Sequence, residues 1–189
     1  MQARSLVTLE KIVAAAEALI ARRGIGSLTM DAVAAEAGLS KGGVLHHFRT
    51  KEELVTNLAL RKLKAVEAGI NREAQVLGGQ PGSTLLGMVE HASKQFGLDE
   101  GFSRALLVAA VENSSSLEQF QAMFHSVLED VQRESADPPF GMALLFAVIG
   151  IQVSQTLGFS QLAPEQAQTI FAALRTAAQP LGRTDECQP

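Results

Sequence analysis

The residues best placed to do chemistry lie between Thr29 and Phe48. They are hydroxyls at Thr29 and Ser40, a glycine at Gly38, a cation at Lys41 and an imidazole pair at His46 and His47. Hydroxyls ahead of short apolar runs cap helices, because the oxygen accepts from N–H groups left without partners in the first turn. Lys41 and the two imidazoles fall on the second of these helices. They do not suit a metal, since adjacent histidines point about 100° apart on a helix and chelate one ion poorly. Elsewhere the reactive residue types are scattered: His91 and His125 stand alone, and the one thiol, Cys187, is in the tail. No nucleophile elbow, phosphate loop, metal-ligand spacing or paired acid and base stands out. The sequence therefore predicts no enzyme, no metal and no cofactor.

The elements that hold this stretch read as helices. Ala and Leu recur at helical spacing, and Val, Ile and Thr form no alternating runs. A first helix over about Thr8 to Arg23 carries Ile12, Ala15, Ala16, Leu19 and Ile20 on one face and ends at Gly24. Short helices follow at about Met30 to Ala37 and Lys41 to Phe48, with Gly38 at the reversal, where a left-handed backbone is needed. Val33, Ala34 and Ala37 let another helix pack close, Leu39 plugs the core, and Val44 with Phe48 anchors the second short helix. Lys41, Gly42, Gly43, Leu45, His46 and His47 are left on its remaining surface. Helix-turn-helix proteins present that part of the second helix to the major groove. Gly42 and Gly43 each cost roughly 1 kcal/mol in a helix interior; close approach to DNA would explain them, and so would a loose first turn without function. A longer helix opens at the Thr50-Lys51-Glu52-Glu53 capping box and runs to about Glu73.

Gly78-Gly79-Gln80-Pro81-Gly82 breaks the pattern and marks a domain junction, giving a head over 1–64 and a body over 65–189. Further helices are expected at about 83–96, 102–113, 117–134, 138–158 and 164–178. The fold class is all-α: a three-helix head plus a larger helical body. The whole chain has net charge -4, which argues against a polyanion partner. Divided at residue 64, the head holds 10 basic and 6 acidic residues, net +4, while the body is -8. The head can face DNA while the body stays clear of it. A lone cysteine and no signal-peptide pattern fit a reducing cytoplasm. The apolar run Phe140 to Ile151 is short of the roughly 20 residues of a membrane span, so a buried helix and no membrane are expected.

The run Ala37-Gly38-Leu39-Ser40-Lys41-Gly42, then His46, Phe48 and Lys51-Glu52-Glu53-Leu54, resembles the signature of the tetracycline-repressor (TetR) family of bacterial transcriptional regulators. The match covers roughly residues 8–60. The resemblance implies that Lys41 and His46 touch DNA and that Lys51 meets a phosphate at its helix N-terminus. It lets Thr29 or Ser40 donate to phosphates as well. Where Leu45 and His47 stand, the family usually has tyrosines. Leu45 offers only apolar contact, for example to a thymine methyl, and His47 either meets DNA or packs, so base preference stays open.

The resemblance also implies a small-molecule pocket and a two-fold dimer interface in the body. Eight of the nine Phe residues lie after position 95. Ligand contacts are expected among Met88, His91, Gln95, Phe96, Glu112, Phe120, Phe124, His125, Phe146 and Gln152. Glu112 would balance a cationic ligand or mark a helix end. The 138–158 helix is apolar nearly all round and must be buried on several sides, naturally against a second chain. The dimer candidates are Phe140, Leu144, Ala147, Ile151, Gln155, Phe171 and Leu174. The function implied is a ligand-responsive regulator, first a repressor with activation as a variant, that binds an operator as a homodimer and is released by a small, largely apolar effector. A helical binding protein or enzyme for a hydrophobic molecule, without DNA reading, is the competing reading.

Overall fold

Apolar residues spaced three or four apart close into helices wherever Gly and Pro are missing, and capping groups set their ends. A computed structural model describes residues 2–78, 82–98, 103–104, 114–159 and 161–181. Among these it has eight helices of more than one turn and no strand: α1 (Gln2–Arg23), α2 (Met30–Ala37), α3 (Lys41–His47), α4 (Lys51–Val76), α5 (Ser83–Gln95), α6 (Ser114–Glu134), α7 (Pro138–Leu157) and α8 (Pro164–Ala178). The first helix starts six residues before the expected Thr8. Most of the helix expected at 102–113 lies outside the described residues, as do Glu112 and Cys187.

Two compact units divide the chain. The first takes residues up to Lys62 and the described part of 99–119; the second takes 63–98 and the rest from Phe120. In the first, Ile12, Ala16, Leu19 and Ile20 of α1 join Leu28, Val33, Val44, Phe48, Leu54 and Leu58 in one buried cluster. Arg61 of α4 grips Glu10 of α1 through two hydrogen bonds of 2.8 and 2.7 Å. That contact raises the guanidinium pKa and holds the Glu10 carboxyl below its ordinary value.

In the second unit, Leu85, Val89, Val131, Leu145, Val148 and Phe171 form the buried centre. The α4 and α5 backbones meet closely there. A methyl group at Gly87 would stand 2.7 Å from both the Ile70 carbonyl oxygen and the Ala74 nitrogen, and the His91 ring occupies the space beside Gly69. Glu134 closes the N-terminus of α5, accepting from the Thr84 N–H at 3.1 Å and the Thr84 hydroxyl at 2.9 Å. Arg175 of α8 pairs with Glu90 of α5, its Nη2 donating to Oε2 at 2.9 Å.

Within the single chain the 138–158 helix, expected to be buried on several sides with a second chain's help, is covered along one stripe. In α7 only Gly141, Leu144, Leu145 and Val148 are buried, and Phe140, Phe146 and Val153 are exposed at 44, 55 and 37%. Helical spacing puts Phe146 and Val153, with Ala143 and Gly150, on the side opposite the buried stripe, and Phe140 on its flank. The helix is also longer than its apolar core. At 20 residues it has the length and composition of a membrane span, so the length argument against one fails. What the structure does show is a buried stripe packed within the second unit's core.

Candidate nucleic-acid interface

The 29–48 stretch is built from caps inward. Thr29 is extended, and its hydroxyl oxygen accepts from the Ala32 N–H at 3.1 Å, starting α2. Val33 and Ala34 are buried against the head core. Gly38 ends the helix with φ 66° and ψ 35°, a left-handed conformation that costs any side chain. The Leu39 N–H returns to the Ala34 carbonyl at 2.9 Å, and the Leu39 side chain packs against the core. Ser40 then caps α3, accepting from the Gly43 N–H at 3.1 Å. Because each of the two hydroxyls accepts here, its own O–H still has a proton to donate.

Val44 is fully buried and Phe48 nearly so, which fixes the rotation of α3. Lys41, Gly42 and His46 are then exposed, and Gly43, Leu45 and His47 half-exposed. The His46 and His47 rings meet edge to face, with centroids 5.4 Å apart at 83°. Lys51 is placed differently from its expected neighbours: its ammonium donates to the Ile25 carbonyl at 3.3 Å, partly buried. Glu53 takes part in the capping box with a changed partner. Its N–H donates to the Thr50 hydroxyl at 3.1 Å, while its carboxylate accepts from the Arg49 N–H at 2.7 Å.

Sequence reasoning passed over Asp31. It sits in the first turn of α2, and its carboxylate accepts from the Lys41 ammonium at 2.9 Å. A signal existed: ten residues across a glycine turn bring the start of one short helix beside the start of the next. Arg49, exposed just past α3, is a second cation that was not singled out.

The body candidates fall into three groups. Met88 is buried in the core, and Phe96 packs edge to face on Phe171 at 5.8 Å. His91 and Gln152 are half-buried. Gln95, Phe120, His125 and Phe146 are exposed; His125 lies 3.1 Å from Glu129, and Phe146 meets Phe124 edge to face at 5.7 Å. Glu112 is outside the described residues.

Three dimer candidates lie in the core of the second unit. Leu144, Phe171 and Leu174 are 7, 1 and 9% exposed, so their side chains belong to this chain's own core and offer no surface to another. Phe140 is exposed, and Ala147, Ile151 and Gln155 are half-buried. The open side of α8 carries Thr169, Ala172, Ala173 and Thr176 instead.

Two family profiles match the chain. One, described as bacterial regulatory proteins of the tetR family, covers residues 12–58. The other, described as the tetracyclin repressor-like C-terminal domain, covers residues 85–179. No curated protein sequence matches. Among solved structures, a transcriptional regulator from Rhodococcus sp. Rha1 is similar with a TM-score of 0.69 and 21% identity, over 91% of this chain and 94% of that one. A regulator from Streptomyces coelicolor A3(2) gives 0.66 and 18%, over 89 and 98%. The multidrug binding protein EbrR, complexed with ethidium, gives 0.57 and 19%, over 88 and 97%. At these identities the structural likeness concerns the fold.

Proposed function

Since the chain belongs to the TetR family of bacterial transcriptional regulators, we propose that it is a ligand-responsive repressor, binding an operator as a two-fold dimer and released by a small, largely apolar effector. In this reading residues 1–64 read DNA, and 65–189 bind the effector and join the two chains. The observation that carries it is the α3 surface. A capped, core-anchored helix presents Lys41 and His46 to solvent, with Gly42, Gly43, Leu45 and His47 beside them. Lys41, the free O–H of Ser40 and of Thr29, and Lys51 once released from Ile25 would meet phosphates, which position the head. His46, His47 and Leu45 would read base edges.

The outward side of α7, with Ala143, Phe146, Gly150 and Val153 and with Phe140 at its flank, supports the dimer, and so do the small residues on the open side of α8. A face of this kind is apolar enough to be covered by its own copy. Two heads on a two-fold axis would reach successive major grooves, about 34 Å apart or a multiple of that. EbrR has been solved with ethidium, with malachite green and with imidazole, and this supports a small organic effector here. Bound in the body, it would lower operator affinity through a coupling of about 1–3 kcal/mol. The protein would work in the cytoplasm, where the DNA is. A fluorescence titration against the DNA upstream of its own gene tests the reading. Salt-dependent, sequence-selective binding is expected, and equal binding to unrelated duplexes would sink it.

A further inference from the structure

The ion pair at the mouth of the helix-turn-helix has a consequence for DNA binding, one that rests on the regulator reading above. The Lys41 ammonium, first residue of α3, is 2.9 Å from the Asp31 carboxylate in the first turn of α2. We propose that Asp31 is an intramolecular competitor for the phosphates that Lys41 binds, lowering the head's hold on DNA irrespective of base sequence.

Two features support this. The side chains are 55 and 70% exposed, so the pair opens to an arriving phosphate, which must then replace the carboxylate at the ammonium. The carboxylate also stays put when it does. Asp31 is fixed to the helix that Thr29 caps, so its carboxylate remains beside the Lys41 ammonium as a standing alternative to a phosphate. The other described pairs of the head are placed differently: Arg22 with Glu36 joins α1 to α2, and Arg61 with Glu10 joins α4 to α1. Among the described pairs, that of Asp31 is the one that joins the two helices of the helix-turn-helix. Asp31 has a local role too, because an acid in the first turn favours α2. A role confined to the helix would change stability and leave DNA binding alone.

The test is anisotropy with the full chain and a random-sequence duplex over a series of salt concentrations. One phosphate contact changes the logarithmic salt slope by about 0.9, or roughly eightfold between 0.1 and 1 M salt. D31N should therefore bind about three- to eightfold more tightly near 0.1 M salt, with a slope steeper by up to about 0.9. D31E should behave as the wild type, and adding D31N to K41A should change nothing. Circular dichroism checks that each variant is folded, with D31S standing in if D31N is not. A folded D31N that binds like the wild type overturns the proposal, and so does a gain that persists beside K41A. A wild type that binds no duplex overturns the DNA-binding reading with it, whereas a wild type that binds while D31N is unchanged overturns this inference alone.

Discussion

At the scale of single residues the head is governed by two kinds of group: those that fix its turn and those that tie its charges. Gly38 has open space around its missing side chain, so a substitution there meets backbone strain rather than a clash. Gly38→Ala should destabilise the head by about 1–2 kcal/mol in urea unfolding; an unchanged midpoint would contradict the left-handed turn. The Glu10–Arg61 pair has a pH signature. The Arg61 hydrogen bonds hold the folded carboxyl below its ordinary value of 4.5, so the folded state takes up a proton less readily than the unfolded one. The contribution is complete above that value and is lost as the pH falls through the folded pKa. E10Q should therefore melt below the wild type near neutral pH, with the gap closing on acidification. A gap that stays constant would contradict the pairing. The turn and caps of the 29–48 stretch were legible in the sequence because each is local: Thr29 reaches Ala32, and Ser40 reaches Gly43. Asp31 was missed because its contact spans two helices, and the tie of Lys51 to Ile25 because that carbonyl lies 26 positions away.

At the scale of elements, α4 and α5 approach closely because Gly87 has no side chain. A methyl group there would sit 2.7 Å from backbone atoms at Ile70 and Ala74, which cannot swing aside as a flexible side chain can. Gly87→Ala should cost about 1–3 kcal/mol, as overpacking does, and a calorimetric melt with no loss would show that the crossing can relax. Helix spans were largely readable: α2 runs from Met30 to Ala37 and α8 from Pro164 to Ala178, as the caps and breakers indicated. Facing was not readable in α7, where apolar residues all round give no single stripe. In α8 the stripe was visible, but periodicity does not say which chain covers it. Phe171 and Leu174 turned inward for that reason, leaving the alanines and threonines outside.

At the scale of the whole molecule, the acidic total of -4 conceals a basic head, and the proposed dimer would cover the exposed apolar side of α7. Phe146→Glu would place a charge in the middle of that side, where Phe146 is 55% exposed in the single chain. It should shift sedimentation from dimer to monomer without loss of helix content; a variant that stays dimeric would move the interface elsewhere. The most direct test of the central claim, that α3 reads DNA from a two-fold dimer, is selection by the purified full chain from a pool of random duplexes. The expected result is enrichment of one inverted-repeat sequence whose half-sites lie about 34 Å apart or a multiple of that, abolished by replacing Lys41 and His46 together with Ala. A pool that emerges unenriched, or enrichment that survives that double replacement, would contradict it.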